Sequence, residues 1–230
     1  MKSISMRIEK GVLRMNVFSA VLDVFFPPSC VFCHELLPIR RQSEVCPRCQ
    51  KSLERFRGEE KAEFVERVVA PFRYRDDVRE SIHRYKFGGR EFYARTYARY
   101  MADALRDAHA EFDVLSYVPL HPRRKRSRGY DQAQLLAEEL GKLLDMEPKP
   151  LLRKKRNVSP QSGMGDVAER RANISGCYEL LPGAEVAEKR ILLVDDVFTS
   201  GATLSECARM LLLAEAEEVS AVTVANAHKS

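Results

Sequence analysis

At 230 residues the chain is long enough for one domain and something more, but short of two full domains at roughly 150 residues each. Hydrophobic residues at 45% and charged residues at 31% exclude wholesale disorder and a collagen-like repeat. No run approaches ~18 uninterrupted apolar residues, so no membrane span is expected. Net charge is 38 − 33 = +5. Residues 119–173 hold 13 Lys/Arg against 7 Asp/Glu, a surplus of +6, so the rest sums to −1. Such a local positive field attracts an anion, either a phosphorylated small molecule or a nucleic-acid backbone.

In chain order, the first pattern is helical. Val12, Met15, Val17, Phe18, Val21, Leu22 and Phe25 recur at helical spacing and stop before Pro27-Pro28, which predicts an amphipathic helix within residues 1–26. Residues 1–14 are weakly patterned, and Met15 is an alternative start. The apolar run Val17–Phe26 is short, broken by Asp23, and lacks a small-residue cleavage site, so it is not read as a secretory signal and the protein is placed in the cytoplasm.

Four of the six cysteines follow at once: Cys30, Cys33, Cys46 and Cys49, spaced C-x2-C-x12-C-x2-C. Two short chelate loops of this kind set four thiolates at the corners of a tetrahedron, the arrangement a structural Zn2+ takes. The competing reading is two disulfides or four free thiols, and a reducing compartment disfavours the disulfides. The predicted zinc is structural, because a closed four-thiolate shell leaves no position for substrate. His34 is then a bystander, and Cys177 and Cys207 pack as small apolar groups. Residues 27–56 are assigned to this module.

A polar linker is expected near residues 54–63, then alternating strand and helix over 64–230. Val65–Tyr74 reads as a strand. A short helix runs from about Asp77 to Gly88-Gly89. A longer one runs from Arg90 to about His109, with Phe92, Tyr93, Tyr97, Tyr100, Met101, Ala104 and Leu105 as its apolar stripe. Asp113–Val118 is a strand ending at Pro119, and Leu135, Leu136, Leu140, Leu143 and Leu144 line the next helix. Arg190–Val194 and Val219–Ala225 are buried strands flanking a helix from about Thr203 to Ala214. Strand–helix–strand alternation predicts an α/β fold with a mainly parallel sheet covered on both faces, whose ligands bind beyond the carboxyl ends of the strands. Three loops leave those ends: 119–129, 153–173 and 195–202.

The densest chemistry lies in Ile191-Leu-Leu-Val-Asp195-Asp196-Val-Phe-Thr199-Ser200-Gly201-Ala202-Thr203. A buried strand delivers two carboxylates, then a hydroxyl-rich turn, then a helix. Backbone N–H groups at a helix start bind phosphate, and Gly201 lets the backbone approach it. Thr199, Ser200 and Thr203 add hydroxyl donors. The carboxylates repel that phosphate but accept hydrogen bonds from a neighbouring diol, so the segment fits a ribose 5-phosphate. Helix capping is the plain alternative for the acids. A receiver-domain phosphoacceptor needs a further Asp on a later strand, and none follows Asp196. No G-x4-G-K-[ST] loop occurs, and the G-x-G-x-x-A run at Gly163–Ala168 follows basic residues, not a strand.

The segment resembles the phosphoribosyl-diphosphate (PRPP) motif of type I phosphoribosyltransferases. The resemblance implies that Asp195 and Asp196 hold the ribose hydroxyls and that Thr199, Ser200, Gly201, Ala202 and Thr203 hold the 5-phosphate. More widely, the chain resembles the ComF family, phosphoribosyltransferase-like proteins with an N-terminal zinc module that are associated with DNA uptake in competence. The matching pieces are Phe26-Pro-Pro-Ser-Cys30-x-x-Cys33, Cys46-Pro-x-Cys49, Ile82-His-Arg-Tyr-Lys86-Phe-Gly88 and Val118-Pro-Leu-His121. They continue with Arg128-Gly-Tyr-Asp131-Gln132, Gln161 and Arg171-x-Asn173. Asp131 departs from the family's usual Asn, and an acid there is expected to weaken or retune anion binding.

From this resemblance follow a type I phosphoribosyltransferase sheet and Mg2+-dependent cleavage of the ribose C1–diphosphate bond, with transfer to an unidentified acceptor. Diphosphate would fall to Pro119, Arg123, Arg124, Lys125, Arg128 and Lys86, and a mobile catalytic loop would carry Arg153, Gln161, Arg171 and Asn173. The cofactors implied are structural Zn2+ and Mg2+ with PRPP. The rival class is a non-enzymatic adaptor for single-stranded DNA within the DNA-uptake machinery, with PRPP as a regulatory ligand or absent.

Overall fold

A computed structural model describes residues 27–39, 41–56, 58–156 and 173–227. The helix expected within 1–26 lies outside them. One six-stranded sheet dominates. It is built from β1 (Glu59–Ala62), β2 (Val65–Val69), β3 (Phe72–Arg73), β4 (Val114–Tyr117), β7 (Arg190–Phe198) and β8 (Glu218–Asn226). Its order is β1-β2-β8-β7-β4, with β3 pairing β8 beyond the end of β2. Every pairing is parallel except β1 with β2. A separate antiparallel pair joins β5 (Leu152–Lys154) to β6 (Tyr178–Leu180).

Both faces are covered, and strand alternation sorts the side chains between them. On β7, Leu192 and Val194 join Val222, Val224 and Phe72 in one core with Ile82 and Tyr85 of α2 (Asp76–Phe87) and Tyr97 of α3 (Tyr93–Asp107). Ile191 and Leu193 join Val219, Ala221 and Val68 in a second core. Leu204, Cys207 and Leu211 of α6 (Ala202–Leu212) and Tyr178 of β6 complete it. Cys177 and Cys207 sit fully buried in this second core, as small apolar groups do.

The cysteine module is part of the first core, not an appendage. Phe32 is fully buried, with its ring centroid 5.1 Å from Phe72 and 5.9 Å from Tyr97. Helix α2 holds the module from beneath: Ser81 Oγ donates to the Val31 carbonyl at 2.6 Å, and Arg84 donates to the Val31 and Phe32 carbonyls. Within the module, α1 (Pro47–Ser52) starts at Cys46 with a proline in its first turn.

Several expectations need correction. Residues 59–62, read as linker, form edge strand β1. Its sequence Glu-Glu-Lys-Ala looks like a linker because an exposed sheet edge is protected by charge. The strand expected over 65–74 breaks into β2 and β3 at Pro71, which has no N–H for the ladder. Phe92, assigned to the core stripe of α3, is 54% exposed, because the helix begins one residue later. Strand β7 runs on to Phe198, so the acidic pair lies inside the strand and not in the loop after it. Segment 119–129 is not open loop either, since α4 (Pro122–Arg128) fills it.

Candidate functional site

Sidedness decides the geometry of the acidic pair. Adjacent residues on a strand face opposite ways, and the contacts follow that rule. Asp196 looks toward α2, where Lys86 Nζ sits 2.7 Å from its Oδ1, both side chains largely shielded. Lys86 is held there because α2 ends in a locked turn: the Tyr85 hydroxyl donates to the Gln132 carbonyl at 2.8 Å, and Tyr130 donates to the Tyr85 carbonyl. Asp195 looks toward the other core. Its Oδ1 accepts the Asp196 N–H at 2.8 Å. Burial foremost, and then the Asp196 carboxylate, push Asp195 up to about 7. A carbon-13 titration of the free protein should therefore show an aspartate carboxyl titrating near pH 7, missing from Asp195→Asn. No carboxyl titrating above about 5 would contradict this.

The turn after β7 has the features of an anion cradle. Gly201 is the residue before α6, at φ +74, and no side chain caps the helix. The first N–H groups of α6 are thus left without a side-chain acceptor, on a helix of 11 residues. Gly201 and Ala202 are buried, Ser200 and Thr203 half-buried, and Thr199 exposed. A Cβ on Gly201 would meet Phe198 at 3.0 Å and Ala62 at 3.1 Å in a left-handed conformation. Gly201→Ala should cost about 1–2 kcal/mol from the backbone alone. The melting temperature of that variant, lowered by several degrees, checks it.

The basic segments converge on the same end of the sheet. Val118 N–H donates to the Val194 carbonyl at 3.0 Å, which ties the start of the 118–131 segment to the residue before the acids. On α4, Arg124 and Arg128 are one turn apart and half-buried, while Arg123, Lys125 and Arg126 are exposed. Burial, then Arg128, holds the Arg124 guanidinium below its usual range. Arg128 lies over the Phe87 ring at 4.8 Å and donates to Gln132 at 2.7 Å.

Lys154 is the residue that sequence reasoning missed. It lies 4.9 Å from the centre of the Tyr178 ring, and burial, then Arg124, lowers its pKa. Arg153, chosen from the same basic run, is exposed and pairs with Glu179. The signal was available: on β5, Lys154 shares a face with buried Leu152, and Arg153 does not. Asn173 is exposed, and its carbonyl accepts the Cys177 thiol at 3.2 Å. Gln161 and Arg171 lie outside the described residues.

Asp131 is a structural residue in this geometry. It is 6% exposed, and its two oxygens accept the Leu120 N–H at 2.8 Å and the Gln134 N–H at 3.3 Å. One carboxylate therefore caps α5 (Gln132–Leu144) and pins the segment that starts at Pro119.

The four cysteines meet the test for a tetrahedral metal. Their sulfurs all lie within 4.8 Å of one another, Cys33 and Cys46 at 3.6 Å. A tetrahedron with Zn–S bonds of ~2.3 Å has edges of about 3.8 Å. Backbone N–H groups of Cys46 and Cys49 donate to the sulfurs of Cys30 and Cys46, each at 3.4 Å. His34 is not in the cluster.

Comparison with known proteins matches both halves. A family profile for a phosphoribosyl transferase domain covers residues 126–230, and one for a double zinc ribbon domain covers 21–61. Competence protein F of Haemophilus influenzae is 28% identical over 220 residues, 85% of this chain and 95% of that protein. The chain is similar to the ComF family along most of its length.

Other relatives agree. Competence protein ComFC of Bacillus subtilis is 30% identical over 149 residues, 61% of this chain and 56% of that one. DNA utilization protein YhgH of Escherichia coli is 28% identical over 187 residues, 75% of this chain and 80% of that one. A zinc ribbon followed by a mostly parallel sheet of the phosphoribosyltransferase kind is the architecture described above. No described helix is long and apolar enough to cross a membrane.

Proposed function

We propose that this chain binds PRPP at the carboxyl end of β7 and, with Mg2+, breaks the ribose C1–diphosphate bond, passing the sugar to an acceptor in the cytoplasm as part of DNA uptake. The observation that carries this reading is one of position. A half-buried carboxylate pair near the end of β7 precedes an uncapped glycine-started helix, Lys86 pairs with Asp196, and the partly buried Arg124, Arg128 and Lys154 stand on the neighbouring elements α4 and β5.

In this reading the 199–203 turn anchors the 5-phosphate through backbone N–H groups and hydroxyls. Asp195 and Asp196 accept hydrogen bonds from the ribose hydroxyls. Lys86 neutralises Asp196 in the free protein and moves to the diphosphate when the hydroxyls replace it. Arg124, within electrostatic reach of both Arg128 and Lys154, joins them as the receptor for the departing diphosphate. Mg2+ suits this donor set, since it is commonly held by one or two carboxylates together with substrate phosphates, and it would supply further charge stabilisation to the leaving group. Fixing both ends of the sugar holds C1 in line for attack, which removes much of the entropic barrier.

Ionising Asp195 is favoured once hydroxyl donors and a cation surround it. Affinity for PRPP is therefore expected to climb as pH rises toward about 7 and to level off above it. Calorimetry of PRPP with and without Mg2+, followed by assay of diphosphate release against a panel of bases and amines, tests the reading. PRPP that fails to bind under either condition would sink it.

The exposed cations of α4, Arg123, Lys125 and Arg126, favour the second reading, an adaptor that holds single-stranded DNA. The names of the relatives, competence and DNA utilization proteins, support that direction. DNA affinity that falls steeply with salt and with loss of those cations, in a protein releasing no diphosphate, would decide for it.

A further inference from the structure

A cavity of about 580 Å3 lies beside the candidate site and shares no residue with the acidic pair or the 199–203 turn. Its lining includes Tyr117 at the end of β4, Pro122 on α4, Pro150 before β5 and Leu181 after β6, together with Asp131. Two cations, Lys125 and Arg126, line it from α4. Both are exposed, whereas Arg124 and Arg128 of the same helix are half-buried. Lys125 donates to Gln134 at 2.9 Å, and Gln134 also lines the cavity. Arg126 is exposed, and no ion pair is recorded for it among the described residues.

We infer that this cavity is a second binding site, distinct from the sugar site, for a nucleoside monophosphate unit. The argument is one of complementarity. Proline rings and a tyrosine offer flat surfaces to a planar base, and adjacent cations suit a phosphate. The carboxamide of Gln134, whose Oε1 accepts from Lys125 and whose Nε2 donates to Glu138 at 2.9 Å, keeps a second N–H and a second lone pair for a base edge. The volume falls within the range of about 300–1,000 Å3 that small-ligand sites occupy. The unit is either a free mononucleotide or one residue of a nucleic-acid strand, because the recognised chemistry is the same. This site stands whether or not the chain turns over PRPP, since Lys125 and Pro119 are the only assigned diphosphate residues that line it.

The test is calorimetry of the full chain with AMP and UMP, with adenosine and inorganic phosphate as half-ligands, and with an eight-residue oligothymidylate as competitor. The mononucleotide is expected to bind at least about tenfold more tightly than either half, a difference of ~1.4 kcal/mol. Arg126→Glu reverses one of the two lining cations and Leu181→Trp fills the cavity. Each should weaken binding about tenfold while the melting temperature holds, because Arg126 is exposed and Leu181 is only partly buried. Asp195→Asn with Asp196→Asn should leave it unchanged. Competition by the oligomer would assign the unit to a strand, and its failure to compete would assign it to a free nucleotide; either outcome supports the cavity. Mononucleotide binding that survives both cavity variants, disappears in the double aspartate variant, or is never detected overturns the inference.

Discussion

Asp195→Asn with Asp196→Asn should lower PRPP affinity by about a hundredfold or more while leaving DNA affinity equal or higher. Each carboxylate that accepts a hydroxyl contributes ~1.5 kcal/mol or more as a charged hydrogen bond, and two lost together exceed two powers of ten. DNA responds the other way, because removing two negative charges raises the local positive field. The single variant Asp195→Asn carries a further expectation with opposite sign. The Asp195 carboxyl is raised to about 7 in the folded chain, above its unfolded value, so ionising it between about pH 4 and 7 withdraws stability. A neutral amide escapes that loss, and Asp195→Asn should melt higher than the parent at pH 8. Calorimetric affinity and thermal unfolding at pH 8 check the two parts. PRPP affinity unchanged in the double variant would mean that the carboxylates do not hold the sugar.

Removing zinc is expected to have the largest effect on stability. Metal analysis should find one zinc per four-cysteine cluster. Chelation, or Cys30→Ser with Cys46→Ser, should lower the melting temperature by more than about 10 °C. A structural zinc is worth ~10–16 kcal/mol to the sites that hold it, against a whole-domain stability of about 5–15 kcal/mol. The damage should not stay local. Val31 and Phe32, between the cysteines, pack in the core shared by Tyr97 and Phe72, and Ser81 and Arg84 of α2 hold their carbonyls. Lys86, in the last turn of the same helix, sits 2.7 Å from Asp196. Loss of the ribbon should thus loosen the helix that positions Lys86, and PRPP affinity should fall about tenfold or more together with stability. A protein free of metal, with melting and ligand affinity unaffected by chelators, would overturn this.

Much of the site was legible because its parts are contiguous. Residues 191–203 form strand, acids, turn and helix start in one stretch, so residue type and order carry the chemistry. The cysteine spacing works in the same way, since each C-x2-C closes its own chelate loop. Features assembled from distant segments were not legible. Lys86, Arg124 and Lys154 come from α2, α4 and β5, and the sequence holds many other cations of equal promise. Arg153 was chosen over Lys154 because a charge run shows density but not direction. Asp131 was read as a disturbance of anion binding. Its role depends on two backbone N–H groups, Leu120 and Gln134, that only a folded chain brings to one carboxylate.

By itself the amino-acid order determined the local geometry: which runs pair as strands, which four thiols gather, and where a glycine turn opens a helix. These follow from short-range sterics, spacing and periodicity. The tertiary structure alone decided sidedness and contact. It turned Asp195 and Asp196 toward opposite cores, divided the cations of α4 between two surfaces, and joined the zinc ribbon to the acidic pair through α2. The physical reason is that burial and charge pairing depend on distances between residues far apart in the chain, and those distances exist only once the sheet has closed around both cores.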